Sequence, residues 1–219
     1  MPFRDRADAG RKLAAALVHY KNRDVVVLAL PRGGVPVAAI VAATLEAPLD
    51  LIFVRKIGLP AQPELAMGAV VDGAGALVVR NEEVLRRAGV REREFAAVCA
   101  RELREIERRR QRYLQDRPSA PVEGRIAIVI DDGLATGATM RAALRAIRAQ
   151  NPARLVLAVP VAPSETLEAM QSEADEVVCL EKYDDFGAIG FYYSDFSQVS
   201  DEEVVEILAR SHREPTSTS

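Results

Sequence analysis

Residues 126–130 read Ile-Ala-Ile-Val-Ile, an unbroken apolar run, and the chain turns acidic directly after it at Asp131 and Asp132. A strand that is apolar on both sides cannot lie on a surface. It belongs inside a parallel sheet with helices on both faces. Similar runs recur as DVVVLAL at 24–30, DLIFVRK at 50–56, RLVLAVP at 154–160 and DEVVCL at 175–180. The stretches 34–46, 136–149 and 163–173 are long enough for helical crossovers between them. The expected architecture is α/β, an open, doubly wound parallel sheet flanked by helices. At 219 residues the chain suits a single domain over 1–212 better than two independent ones, with 213–219 as a disordered tail.

Between the second and third runs the pattern breaks. IGLPAQPELAMG at 57–68 reads as a loop, and GAVVD and ALVV, separated by Gly73-Ala74-Gly75, read as a hairpin. Residues 90–115 place Phe95, Cys99, Leu103, Ile106 and Tyr113 at helical spacing with charges on the other faces, which predicts a long amphipathic helix. Its basic cluster Arg108, Arg109, Arg110 and Arg112 is interleaved with Glu102, Glu105 and Glu107. Pairing within the helix would leave a solvated face rather than a nucleic-acid surface. Ser200-Asp201-Glu202-Glu203 has capping-box form ahead of a last helix at about 200–211.

The net charge of −3 supplies no field for attracting nucleic acid or an anionic membrane, so any anion site must be local. No run approaches the length of a membrane helix, and the N-terminus has no apolar signal core; a cytoplasmic location is expected. Cys99 and Cys179 are too few for a disulfide framework and lack zinc-site spacing, so both are read as packing residues.

The chemistry concentrates in 126–140. After the strand and the acid pair come Gly133-Leu134-Ala135-Thr136-Gly137-Ala138-Thr139 and then a helix. Small residues at such a turn expose successive backbone N–H groups, the helix N-terminus adds partial positive charge, and Thr136 and Thr139 add hydroxyls. A phosphate monoester suits that nest. Two carboxylates beside it make sense when the ligand carries vicinal hydroxyls or a divalent cation. No lysine follows Gly137, so this is not the GxxxxGK[ST] loop, and no GxGxxG is present. Leu30-Pro31-Arg32-Gly33-Gly34 forms a second glycine-rich strand-to-helix turn, either structural or an anion site. Arg55 and Lys56 end the second run on the carboxyl edge where open α/β sheets bind ligands; they are cations for a polyanion or a solvated strand end. Glu64 is the only acid in 57–68, for proton transfer or merely on the surface. Residues 183–196 hold 6 of the 11 Phe and Tyr residues, enough to stack on a planar base or to form a small core.

The apolar strand, two acids and G-x-A-T-G-x-T together resemble the diphosphoribosyl-binding motif of type I phosphoribosyltransferases, and the resemblance extends over roughly 24–80, 125–160 and 175–200. It implies that fold, with a hood subdomain from about 1–22 and 181–212 and a β-hairpin preceded by a flexible catalytic loop at 57–68. It implies further that Asp131 and Asp132 hold the ribose 2′ and 3′ hydroxyls, and that Ala135, Thr136, Gly137, Ala138 and Thr139 wrap the 5-phosphate. Arg32, Gly33 and Gly34 correspond to the pyrophosphate loop, where a non-proline cis peptide is expected at Arg32-Gly33. Arg55-Lys56 is similar to a pair in adenine phosphoribosyltransferases. Phe186 and Asp195 are the nearest matches to a base-stacking aromatic and a base-reading acid, although the spacing departs from the purine pattern near Tyr193.

The implied activity uses Mg²⁺, held through the ligand and by Asp131 and Asp132, to bind 5-phosphoribosyl 1-diphosphate and transfer its phosphoribosyl group to a nitrogenous base. The implied partners are these small molecules and, for a homodimer, a second copy of the chain. The alternative is a non-catalytic regulator that senses the same donor. A phosphatase or nucleotide hydrolase using Asp131 as nucleophile is disfavoured, because no second acid pair follows a later strand. The inserted helix at about 90–116 has no role in the resemblance and is left as a dimer contact. His19 and His212 lie outside every motif.

Overall fold

A computed structural model describes residues 1–62, 65–72, 77–115 and 117–211. In chain order the elements are α1 (Arg6–Ala16), β1 (Val25–Ala29), α2 (Gly34–Leu45), β2 (Leu49–Leu51), β3 (Phe53–Gly58), β4 (Ala66–Asp72), β5 (Leu77–Arg80), α3 (Glu82–Ala88) and α4 (Glu92–Leu114). There follow β6 (Ile126–Ile130), α5 (Ala138–Arg148), β7 (Arg154–Pro163), α6 (Ser164–Met170), β8 (Glu176–Tyr183) and α7 (Asp201–Ser211).

The apolar runs form one parallel sheet in the order β2-β1-β6-β7-β8. Alternation within each run serves both faces. Val25, Val27, Ala29, Ile128 and Ile130 join α1, α2 and α7 in one core. Val26, Leu28, Ala127 and Val129 meet Met140, Ala143, Leu144 and Ile147 of α5 in the other. The sheet centre is therefore dry on both sides, as a parallel sheet requires.

The second run departs from expectation. Only Leu49–Leu51 pairs with β1; Ile52 still donates its N–H to Ala29 O at 2.9 Å. Phe53–Gly58 then leaves to pair with β4 in a separate antiparallel sheet, β3-β4-β5. The physical reason is charge. Arg55 and Lys56 could not be buried in a sheet covered on both faces, whereas a strand with one open face leaves room for charged side chains. The β4–β5 hairpin stands where GAVVD and ALVV predicted it, and residues 73–76 of its connection lie outside the described part. Strand structure also takes both ends of the 57–68 segment read as a loop, down to Gly58 and from Ala66 onward.

Helix α4 buries Phe95, Cys99, Ile106 and Tyr113 as predicted, against β3, β4 and α7. The expected pairing of Glu102 within the helix is only half of its arrangement. Glu105 pairs along α4 with Arg108 and Arg109 at 2.9 and 3.0 Å, and buried Glu102 pairs both along the helix, with Arg101 at 3.0 Å, and across it, with Arg55 on β3 at 2.9 Å. Arg110 and Arg112 likewise leave the helix, for Asp72 and for Asp201 and Glu202. Ser200 caps α7 through the Glu203 N–H at 3.0 Å. Both thiols are free; burial raises their pKa, that of Cys179 to about 11. No helix among the described residues is long and apolar enough to cross a membrane. The tail at 213–219 and His212 lie outside the described residues.

Candidate functional site

The carboxyl ends of β1 and β6 are neighbours, so the turns that follow them meet. Asp131 and Asp132 follow β6, and the Asp132 N–H donates to Asp131 Oδ1 at 2.8 Å. Burial raises both carboxyls, Asp131 well above its ordinary range, with the neighbouring Asp132 charge adding to the effect. In Asp132 the rise is opposed by Arg6, whose Nε donates to Oδ2 at 2.8 Å. Two adjacent acids held short of water favour a ligand that brings hydroxyl donors or a cation.

The β1–α2 turn packs directly on this pair. A Cβ at Gly33 would run into the Asp132 carboxylate, and one at Gly34 would lie 2.8 Å from Ile130 O and 2.9 Å from Asp131 Cα. Only glycine permits the two turns to come this close. The non-proline cis peptide of this turn is Pro31-Arg32, one bond before the expected Arg32-Gly33. Arg32 extends toward α7, 3.6 Å from Asp201.

Beyond the acids, Leu134 N–H donates to Val161 O at 2.9 Å and Thr166 Oγ1 to Ala135 O at 2.7 Å, which pins the loop to the core. Gly137 adopts φ 70°, and α5 begins at Ala138. Ala135, Thr136, Ala138 and Thr139 are exposed, and the first-turn N–H groups of α5 have no acceptor within the helix. The nest read from the sequence is thus open at a helix N-terminus.

Arg55 and Lys56 are not brought together. Successive strand residues face opposite ways. Arg55 lines a small cavity of about 60 Å³ with Pro31, Phe53, Ile106, Arg109, Asp131 and Thr139. Lys56 lines a larger one of about 560 Å³, between the antiparallel sheet and α5, with Thr136, Ala138, Thr139 and Arg141. Thr139 and Val54 border both. Glu64 lies outside the described residues.

The aromatic segment closes the site from the C-terminal side. Tyr193 is buried and its hydroxyl donates to Asp132 O at 2.6 Å, while its ring packs on Phe3 at 5.3 Å. A Cβ at Gly133 would meet Ile189 at 2.7 Å, so the hood loop rests on the turn itself. Phe186 has one face stacked on Tyr192 at 4.8 Å. Asp195 is exposed and accepts from Ser197 N–H at 3.0 Å, which lowers its pKa. Phe191, 69% exposed, is the open ring of the segment. The sequence reading missed Arg6, the Tyr193 hydroxyl, and Glu102, Ile106 and Arg109 of α4. Arg6 had no motif around it, Tyr193 lay in the aromatic segment without a role of its own, and α4 was the part without a role.

Two glycine-rich turns meet at an acid pair, and an exposed loop beside it leads into the N-terminus of a helix in an α/β domain. Comparison with known proteins gives the family: the model of the phosphoribosyl transferase domain matches residues 4–196, and the chain belongs to it. The Mycobacterium tuberculosis protein named "Putative phosphoribosyl transferase Rv0571c" is 47% identical over 212 residues, 97% of this chain and 47% of its own length; its counterpart MT0597 from another strain matches equally. The chain spans about half the length of these curated relatives. A crystal structure of TT1426 from Thermus thermophilus is 44% identical with a TM-score of 0.83, covering 96% of this chain and 99% of that one.

Proposed function

We propose that the protein binds 5-phosphoribosyl 1-diphosphate with Mg²⁺ and transfers the phosphoribosyl group to a nitrogenous base, releasing pyrophosphate. The observation that carries this is the acid pair Asp131-Asp132 at the end of β6, in contact with Gly33 and Gly34 and continuous with the exposed loop 135–139. In this reading the acids accept hydrogen bonds from the ribose 2′ and 3′ hydroxyls, and the loop N–H groups and Thr136 and Thr139 hold the 5-phosphate. Arg32 and Arg55 meet the diphosphate; Lys56, on the far face of β3, serves the phosphate end. Phe186 and Asp195 are assigned to the base, and Glu64 to proton transfer in the loop that excludes water.

The donor set suits Mg²⁺, since carboxylates and diphosphate are hard oxygen ligands. Among the described residues no group of three or more metal-ligating side chains stands together, so the ion would be held by the ligand together with Asp131 and Asp132. It would neutralise charge on the departing pyrophosphate. The protein's own contribution is positioning and fixed positive charge around a transition state that needs no covalent nucleophile.

A second reading, a donor-sensing regulator, draws support from the cations already committed to internal carboxylates: Arg32 to Asp201, Arg55 to Glu102. One assay separates them. Incubation with donor, Mg²⁺ and a panel of purines, pyrimidines and other acceptors is expected to release pyrophosphate. Tight donor binding without release favours the sensor. Failure to bind the donor, unchanged by Asp131→Asn with Asp132→Asn, rejects both.

A further inference from the structure

The inserted helix α4 lies over the donor site, and its side chains enter it. Ile106 and Arg109 line the small cavity with Asp131, Arg55 and Thr139. Arg32 and Arg109 both act electrostatically on Tyr113 and Asp201, at the seam of α4 and α7. Two guanidinium groups, those of Arg55 and Arg109, therefore line one hollow beside the acid pair, and Arg32 stands at the adjoining seam; each of the three is held by a carboxylate of the protein: Arg32 by Asp201 at 3.6 Å, Arg55 by Glu102 at 2.9 Å, Arg109 by Glu105 at 3.0 Å. At about 60 Å³ the hollow is far below the 300–1,000 Å³ of ordinary ligand sites. A ligand entering it must displace something, and the two cations lining it, Arg55 and Arg109, have exchangeable partners.

We propose that Arg109, carried by the inserted helix, is a diphosphate-binding residue of this protein, with Glu105 as the counterion it exchanges for the ligand. This deepens the donor-binding reading and rests on it. The chemistry favours a polyanion with oxygens on two centres. A guanidinium offers several N–H donors in a fixed fork, and two of them lining one hollow match a diphosphate better than a single phosphate. The 5-phosphate has its own nest at 135–139, on the other side of Thr139. Helix α4 thus supplies a cation that the strand-end turns lack. Arg109 is 35% exposed and paired on a helix surface, so its replacement leaves the core intact.

The test separates the two ends of the donor. Binding of inorganic pyrophosphate with Mg²⁺, and separately of ribose 5-phosphate, is measured by calorimetry for the wild type, Arg109→Ala, Arg109→Lys and Asp131→Asn. The loss of charge-assisted hydrogen bonds predicts that Arg109→Ala binds pyrophosphate about tenfold more weakly, or worse. Ribose 5-phosphate should bind unchanged, and Arg109→Lys should recover part of the loss. Asp131→Asn should weaken ribose 5-phosphate. Equal pyrophosphate binding by Arg109→Ala and wild type overturns the role of Arg109 and leaves the donor reading intact. Equal weakening of both ligands in Arg109→Ala also overturns it, as the sign of a structural effect. A wild type that binds neither ligand ends the donor reading and this inference together.

Discussion

At the scale of single residues, the site depends on how closely two turns approach. Gly33 touches the Asp132 carboxylate, and no side chain fits between them. Gly33→Ala must push the turns apart; it is expected to cost about 1–3 kcal/mol in stability, as overpacking does, and to weaken donor binding measured by calorimetry. The Tyr193 hydroxyl is a second such point. Burial and the acid pair push its pKa far up, so it remains a donor to Asp132 O throughout the working range. Tyr193→Phe leaves that buried carbonyl without this partner and should lose about 1–1.5 kcal/mol in urea unfolding. Unchanged stability would mean that water replaces the hydroxyl. Asp131, Asp132 and 135–139 were legible in the sequence because they are contiguous and their order is chemical. Arg6 was not, because its partner Asp132 lies 126 residues away and nothing local marks the meeting.

At the scale of elements, the parallel sheet was readable wherever a run was apolar throughout. The division of residues 49–58 between two sheets was not. The run 50–56 is nearly continuous in hydrophobicity, and what decides where the chain leaves β1 is that its charges need an open face. Helix α4 shows the converse: its amphipathic period gave the buried residues, while the partners of its charges depended on what packs across it. Glu105 is a measurable case. Arg108 and then Arg109 hold its carboxyl down to about 2, below the ordinary value of 4.5. A carboxyl depressed in the folded state binds fewer protons than in the unfolded chain, so the pair stabilises fully above about pH 4.5 and loses that contribution as pH falls toward 2. Both arginines are substantially exposed, so the contribution is about 0.5–1 kcal/mol. Glu105→Gln should therefore be less stable than the wild type by that amount at pH 7, and the gap should close in urea unfolding near pH 2. A gap independent of pH would assign the effect to packing.

At the scale of the whole molecule, the site is a joint between distant parts of the chain. Arg6 from α1, the β1–α2 turn, the β6–α5 turn and Tyr193 near the C-terminus converge on Asp132, and α4 covers the cavity beside Asp131. A ligand seated there would tie all of these together, and binding to the folded state alone must raise its stability by mass action. With the donor and Mg²⁺ at a hundred times the dissociation constant the gain is about 2.7 kcal/mol. For a domain of this size that amounts to a rise in Tm of about 5–10 °C. Asp131→Asn should abolish the rise while removing an acid whose burial disfavours its charge in the free protein, so its own Tm without ligand should equal or exceed that of the wild type. The two halves test different things. A donor-dependent rise that survives Asp131→Asn would place the ligand elsewhere, and a variant that melts early without ligand would show that the acid is held by interactions stronger than its desolvation.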